Sequence, residues 1–204
     1  MKFYYANNSC ALASHIALLE AGAEFEAHRL DFAQGQQRSD DYLKINPKGR
    51  VPALATARGV LTETPAILAY IAQTHPDQDL ALMSDPFDYA RVQSINSYLC
   101  STVHVAHAHK QRGARWTDDP DAQAALTRHV PTTMRACFDL IEASMVQGPW
   151  VMGEHYTVCD PYLFTITRWL AGDQVDVADF PRVHRHMQRM QERPAVKQAL
   201  ALHN

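Results

Sequence analysis

The chain has 204 residues, of which 47% are hydrophobic, and a formal net charge of −3 at pH 7. A chain of this size can bury the core of one large domain or of two small ones. The weak negative charge and the lack of any Lys/Arg run argue against nucleic acid or an anionic membrane surface as a partner. No apolar run approaches the ~20 residues of a membrane-spanning helix, and no leader-like segment opens the chain, so we expect a cytoplasmic protein.

Residues 1–76 combine strand and helix patterns. Short β-type runs at residues 3–5, 25–30, 51–54 and 60–62 are interleaved with helical spacing of apolar residues at 12–19 and 67–71. The order is β-α-β followed by β-β-α, which predicts an α/β domain.

A polar, turn-rich stretch over residues 75–86 separates this region from one that is helical throughout. Helices are predicted over residues 86–111 and 120–143, after a capping box formed by Thr157 and Asp160, and from Pro181 and Pro194. We therefore predict two domains, an α/β domain over residues 1–76 and an all-helical (all-α) domain over residues 86–204.

Two motifs near residue 50 predict a peptide-binding edge beside an anion pocket. Pro52 cannot donate to a sheet and forces Val51 into an extended conformation, so the backbone of Val51 is available to an extended peptide. Thr64 precedes Pro65, which is favoured at the first helical position, so Thr64 is the predicted N-cap of a helix whose free amides attract an anion. With the carboxylate of Glu63 beside it, the pocket suits the ammonium and carboxylate of an amino-acid end.

Cys10 is the clearest candidate for chemistry. It lies where the first strand turns into the first helix, and the helix dipole is expected to lower the pKa of its thiol. The alternative is a buried, inert cysteine. Tyr5 and Ser9 are competing candidates for stabilising a ligand thiolate, since either hydroxyl can donate a hydrogen bond. The four cysteines form no CxxC pair, which argues against a disulfide framework or a zinc site and favours reduced thiols.

Together the motifs resemble the glutathione S-transferases, and among them the bacterial beta class. The similarity is carried by Lys-Phe-Tyr-Tyr followed by Ser9 and Cys10, by residues 46–52, by residues 61–70, and by Thr157 with Asp160. The resemblance implies a thioredoxin-like N-terminal domain, an all-helical C-terminal domain, a cis Val51–Pro52 peptide bond and a homodimer.

The resemblance also implies how glutathione is held. The backbone of Val51, before Pro52, pairs with the cysteinyl part of glutathione. Glu63 and Thr64 take the γ-glutamyl end. Gln36 stands in the loop where the family often has a lysine for the glycyl carboxylate.

Near the sulfur, the resemblance implies that Cys10 can form a mixed disulfide with glutathione and that His104 approaches from the long helix. Ser101, on the same helix, is included among the glutathione-binding residues. Arg112, Arg115 and Trp116 follow this helix in sequence and are candidates for the far lip of the electrophile pocket.

The predicted function is transfer of glutathione, as co-substrate, to a small hydrophobic electrophile, with a role in detoxification. A thiol–disulfide oxidoreductase or peroxidase that uses Cys10 is one alternative. A glutathione-binding module without turnover is another, because Val105 stands where the family often has a lysine. His104, His107 and His109 share helical spacing, but no carboxylate or cysteine completes a ligand set, so no metal is predicted.

Overall fold

The computed structural model describes residues 1–203. Its N-terminal part is built on a four-stranded sheet. Its strands are β1 (Lys2–Tyr5), β2 (Glu26–Arg29), β3 (Ala53–Thr56) and β4 (Gly59–Thr62). They lie in the order β2-β1-β3-β4, with β2 parallel to β1 and the other two pairs antiparallel. The four predicted strands are confirmed, with ends shifted by one or two residues.

Three helices accompany the sheet: α1 (Ala11–Glu20), α2 (Asp40–Ile45) and α3 (Thr64–Thr74). The sequence predicted α1 and α3 but not α2, because its six residues are too few to show a helical repeat. The hydroxyl of Ser39 caps α2 by accepting a hydrogen bond from the amide of Tyr42 at 3.3 Å. This short helix matters because Tyr42 supports the loop before β3.

The remainder is helical, as predicted. Its helices are α4 (Pro86–Tyr98), α5 (His104–Ala108), α6 (Pro120–Leu140), α7 (Cys159–Thr167), α8 (Pro181–Glu192) and α9 (Pro194–His203). The predicted helix over residues 86–111 is divided by a π-helical turn at Leu99–Val103, after which α5 begins. None of the described helices combines the length and apolar character needed to cross a membrane. A thioredoxin-like sheet domain followed by helices confirms the predicted fold class.

The sheet region and the helical region are packed together through α1. One buried cluster joins α1 to α7, α8 and α9 and consists of Leu12, Ile16, Phe164, Met190, Val196 and Ala199. At the edge of this cluster, Arg193 binds Glu20 in a bidentate ion pair with N–O distances of 2.6 and 2.7 Å. The start of α1, where Cys10 lies, is therefore held in place by the helical region.

The predicted capping box is wrong by one residue, because Val158 rather than Thr157 is the N-cap of α7, but Thr157 and Asp160 do hydrogen-bond at this helix start and their role is structural. The fully buried carboxylate of Asp160 accepts hydrogen bonds from the amides of Thr157 at 2.7 Å and Val151 at 2.8 Å, and lies 3.0 Å from Nε2 of His186. The hydroxyl of Thr157 accepts from the amide of Cys159 at 3.3 Å. These bonds tie the start of α7 to the preceding loop and to α8.

Candidate functional site

A cleft of about 800 Å³ lies between the sheet region and the helices that follow it. Its walls come from the start of α1, the loops before β3 and α3, the segment from residue 100 to residue 116, and α7. Seven of the ten predicted site residues line this cleft: Ser9, Cys10, Val51, Pro52, Glu63, Thr64 and His104. Residues that are far apart in sequence thus meet at one site.

The loop before β3 presents Val51 to the cleft. Its peptide bond to Pro52 is cis, as the resemblance implied. The preceding carbonyl, that of Arg50, accepts hydrogen bonds from the hydroxyl of Tyr42 at 2.7 Å and from Nδ2 of Asn46 at 2.6 Å, which fix the loop. The carbonyl of Val51 itself accepts a hydrogen bond from the thiol of Cys10 at 3.6 Å. The peptide-binding edge therefore touches the candidate reactive cysteine.

The start of α3 lies beside this edge, and here the prediction is wrong by one residue. Glu63, rather than Thr64, is the N-cap, and Thr64 is the first helical residue. Glu63 has φ of 72° and ψ of 124°, a strained conformation that costs about 1–3 kcal/mol and tends to occur at ligand sites. Its half-exposed carboxylate lies 2.5 Å from Nζ of Lys48. A ligand ammonium that binds Glu63 must share the carboxylate with this lysine.

Cys10 occupies the N-cap position of α1, with its thiol buried. The expected lowering of its pKa is wrong. Burial raises the pKa of the Cys10 thiol to about 11, and this effect exceeds the opposing ones of a hydrogen bond with Thr64 and the charge of Arg112. A thiol removed from water pays a desolvation penalty on ionisation that the helix dipole does not offset here.

The two competing hydroxyl donors are engaged elsewhere. Tyr5 does not line the cleft, so this prediction is wrong: its ring packs against His203 at 4.5 Å and its hydroxyl donates to the carbonyl of Leu202 at 3.4 Å. Strand β1 turns alternate residues to opposite faces, and Tyr5 falls on the face toward α9. Ser9 lines the cleft, but its hydroxyl donates to the carbonyl of Ala6 at 2.7 Å.

Gln36 and Ser101 also require correction, since neither lines the cleft. The side-chain oxygen of Gln36 accepts a hydrogen bond from the amide of Asp31 at 2.8 Å, and Arg38, two residues further on, faces the cleft instead. Ser101 is exposed and donates to the carbonyl of Ser97 at 2.8 Å. The sequence does not reveal the loop conformation at Gln36 or the wide turn that sets the direction of Ser101.

Two histidines of α5 pack against the ring of Trp169. The ring centroids of His104 and His107 lie 5.0 and 4.3 Å from that of Trp169. Burial lowers the pKa of His104 to about 4, with a further contribution from the charge of Arg112, so the imidazole is neutral at physiological pH. Nδ1 of His107 lies 2.6 Å from the buried carboxylate of Asp173. Within residues 1–203, no group of three potential ligands is arranged to hold a metal.

Besides Arg38, sequence reasoning missed Tyr162 and Cys100 as residues of the cleft. The buried hydroxyl of Tyr162 makes no hydrogen bond of normal geometry within the described residues, although the side chains of Thr64 and Cys100 lie close enough to shift its pKa. Burial raises the pKa of Tyr162, so its hydroxyl stays protonated and available as a donor. Cys100 lines the same cleft and is partly exposed. No local pattern distinguishes either residue from the core residues around it.

The far wall of the cleft agrees with the sequence. Arg112, Arg115 and Trp116 all line it, as predicted for the lip of a second pocket. Arg38 and Arg50 line it from the sheet side.

Two family models match the chain in sequence order. They are the glutathione S-transferase N-terminal domain over residues 1–73 and the glutathione S-transferase C-terminal domain over residues 101–194. Among known proteins, glutathione S-transferase GstA of Escherichia coli O157:H7 is 32% identical over 204 residues, and the match covers 98% of each chain.

Solved structures lead to the same family. A glutathione transferase homologue from Sulfitobacter, with bound glutathione, has a TM-score of 0.96 and 42% identity, covering 98% of this chain and 97% of that one. The bacterial beta-class glutathione S-transferase of Sphingomonas chungbukensis has a TM-score of 0.86 and 32% identity, covering 100% and 99%. The chain therefore belongs to the glutathione S-transferase family, an enzyme family with glutathione as co-substrate, as its motifs predicted.

Proposed function

We propose that glutathione binds in the cleft along the loop before β3 and that the protein transfers its sulfur to a small electrophile. One observation carries this proposal. The backbone of Val51, the carboxylate of Glu63 and the first-turn amides of α3 border the same cleft. An extended peptide that pairs with Val51 would direct its γ-glutamyl end toward Glu63.

Each charged group of glutathione lies next to a protein group of opposite charge in the proposed binding mode. The γ-glutamyl ammonium binds the carboxylate of Glu63, and the neighbouring carboxylate binds the free amides at the start of α3, where the helix dipole favours an anion. The glycyl carboxylate binds Arg38, which faces the cleft where Gln36 was expected. The strained backbone of Glu63 supports a ligand-binding role at this position.

At the sulfur, neutral donors stabilise the thiolate. The Cys10 thiol, the Tyr162 hydroxyl and the His104 imidazole border the cleft, and the pKa shifts caused by burial keep all three neutral at physiological pH. Because each of these neutral groups keeps its proton, it can donate a hydrogen bond to a thiolate. The Tyr162 hydroxyl is buried and makes no hydrogen bond of normal geometry within the described part of the chain, so we assign it as the donor.

The reaction is a nucleophilic displacement or addition. With an aryl chloride, the glutathione thiol loses its proton to solvent and its sulfur forms a bond to the ring carbon. The carbon–chlorine bond then breaks and chloride leaves with the bonding pair. The protein contributes by lowering the thiol pKa and by placing sulfur and carbon in contact.

A second candidate function, thiol–disulfide exchange, is favoured by the presence of both Cys10 and Cys100 in the cleft. In this reaction the Cys10 thiolate attacks a glutathione disulfide, a new S–S bond forms, and glutathione thiolate leaves. The raised pKa of Cys10, about 11, leaves few thiolates at neutral pH. Transfer to an electrophile is therefore the better-supported function. The family resemblance also supports a homodimer, which light scattering tests, and a cytoplasmic location stays a prediction.

Turnover of chlorodinitrobenzene with glutathione tests the proposal. We expect Cys10→Ala to keep this activity, because the nucleophile is the sulfur of glutathione, and Tyr162→Phe to lower kcat by about tenfold through loss of one hydrogen bond to the thiolate. The control is Tyr89→Phe, which removes a hydroxyl that lies outside the cleft. Absence of glutathione binding by calorimetry would contradict the proposed site, and full activity in Tyr162→Phe would contradict the assigned donor.

A further inference from the structure

We propose that the second-substrate half of this cleft selects an anionic electrophile, an aromatic or conjugated carboxylate, over its neutral counterpart. The inference rests on the proposed function and names the substrate class of the same site. It follows from the charges that line the cleft, from their lack of partners, and from the flat apolar walls between them.

Four arginines face the cleft from both sides. Arg38 and Arg50 belong to loops of the sheet region, and Arg112 and Arg115 follow α5. They are close enough to act on one another. Burial lowers the pKa of Arg115, and the positive charges of Arg112, Arg50 and Arg38 lower it further. An anion bound between them would relieve this repulsion.

None of the four guanidinium groups has a carboxylate, hydroxyl or carbonyl partner within residues 1–203. Some arginines elsewhere do have such partners: Arg91 binds Asp88, and Arg135 binds Asp179. An unpaired surface arginine is ordinary, but four that converge on one concave site focus a positive potential into it.

The nearby carboxylates do not supply the missing negative charge. Glu63 is the only acidic residue among those lining the cleft, and Lys48 already binds it at 2.5 Å. The buried Asp173, behind the α5 wall, is held by His107 at 2.6 Å and by Nζ of Lys110 at 3.3 Å. The arginine charges are therefore left for ligands.

Glutathione neutralises only part of this charge. Its γ-glutamyl ammonium and carboxylate cancel each other at Glu63 and the start of α3. The glycyl carboxylate and the thiolate remain, and together they balance about two of the four guanidinium charges. Arg38 suits the glycyl carboxylate, and Arg112 is the arginine whose charge acts on both Cys10 and His104, next to the sulfur. A positive excess is thus left at the second-substrate end.

Apolar surfaces line the cleft between these charges. They are contributed by Phe32, Val105, Ala108, Ala114, Trp116 and Trp169. Phe32 and Trp116 are partly exposed, with 37% and 46% of their surfaces accessible. Aromatic walls bordered by guanidinium groups match a flat ring or conjugated chain that ends in a carboxylate, since arginine binds a carboxylate through two parallel hydrogen bonds.

The test compares chlorodinitrobenzoate with its methyl ester, which carries the same leaving group without the charge. Each enzymatic kcat/KM is divided by the uncatalysed rate constant, because the two rings differ in intrinsic reactivity. We expect the wild-type protein to prefer the carboxylate by about tenfold or more, as one charge-assisted contact implies. Raising the salt to about 0.5 M should shrink the preference.

The double variant Arg112→Gln/Arg115→Gln should reduce this preference to within about threefold, because any loss of thiolate stabilisation by Arg112 affects both substrates alike. The matched control is Arg58→Gln/Arg128→Gln, which removes two exposed arginines outside the cleft and should keep the preference. A wild-type preference near unity, or an unchanged preference in the Arg112→Gln/Arg115→Gln variant, would overturn the proposal.

Binding separates this inference from the proposed function. Calorimetry is carried out with glutathione and with the two S-aryl conjugates, one bearing the carboxylate and one the methyl ester. If glutathione binds and the two conjugates bind equally, the anionic pocket is wrong and the glutathione site stands. If none of the three binds, the proposed function is wrong and this inference falls with it. Tighter binding of the carboxylate conjugate, lost in Arg112→Gln/Arg115→Gln, supports the proposal even where turnover is slow.

Discussion

Lowering the pH from about 7.5 to about 5.5 is expected to reduce the free energy of unfolding by about 4 kcal/mol through two buried histidines, His15 and His203, and the partly buried His104. Burial lowers the pKa of His15 to about 4, that of His104 to about 4 and that of His203 to about 3, against an ordinary value of 6.5. Nδ1 of His15 and Nε2 of His203 lie 3.0 Å apart, so the two neutral imidazoles share one hydrogen bond.

The sign and size follow from proton linkage. As the pH falls through 6.5, the unfolded chain protonates these histidines while the folded protein keeps them neutral, so acid favours the unfolded state. Their contribution is complete above pH 6.5 and is lost progressively toward pH 4. Each histidine lowers the free energy of unfolding by about 1.3 kcal/mol between about pH 7.5 and about pH 5.5. This value holds as long as the pKa in the folded protein lies well below about 5.5.

Urea unfolding followed by tryptophan fluorescence at fixed protein concentration measures this difference. The variant His203→Gln removes one titrating group and keeps a hydrogen-bonding side chain opposite His15, so it should reduce the pH dependence by about 1.3 kcal/mol. A second pair of measurements at about pH 7.5 and 8.5 should show almost no contribution from these groups. A wild-type change below about 1 kcal/mol, or an unaltered slope in His203→Gln, would refute the reasoning.

Three further predictions concern the site and its support. Glu63→Ala should weaken glutathione binding by about tenfold to a hundredfold in calorimetry because a charge-assisted contact is lost, while the melting temperature changes little; unchanged affinity would sink the γ-glutamyl assignment. Oxidised glutathione should form one adduct, which peptide mass maps to Cys10 and not to Cys100. The rate of adduct formation should rise with pH, because burial raises the pKa of Cys10 to about 11. An adduct that survives Cys10→Ala would contradict this prediction. Asp160→Ala should lower the free energy of unfolding by about 3–5 kcal/mol in urea titration, because three buried donors lose their acceptor. A loss below about 1 kcal/mol would show that water replaces the carboxylate.

The parts of the site that sequence predicts are those set by local chemistry. Pro52 restricts Val51 wherever the chain goes, and a Glu63-Thr64-Pro65 run favours a helix start with a carboxylate beside it. Such constraints act over three or four residues, so they remain valid after folding. The error of one residue at the N-cap arises from the left-handed backbone of Glu63, which no residue type at that position signals.

The parts that sequence mispredicts depend on distant packing. The expected pKa of Cys10 followed from the helix dipole alone, whereas the structure buries the thiol and desolvation outweighs the dipole. Tyr5 and Tyr162 look alike in sequence, yet one packs against α9 and the other reaches the cleft from α7. Strand alternation predicts that Tyr5 shares a face with Phe3, but only the complete fold shows that this face is turned away from the ligand.

The electrostatics of the cleft show why net charge is a poor guide to a small-molecule site. The formal charge of −3 argues against nucleic acid, because a polyanion interacts with a surface over many ångströms. A small carboxylate interacts with the few charges inside one cleft, within about a Debye length and partly shielded from solvent. Arg38 and Arg115 are far apart in sequence, so no charge run indicates that they meet. A chain with a negative total can therefore hold a positive pocket, and the choice of electrophile depends on the pocket.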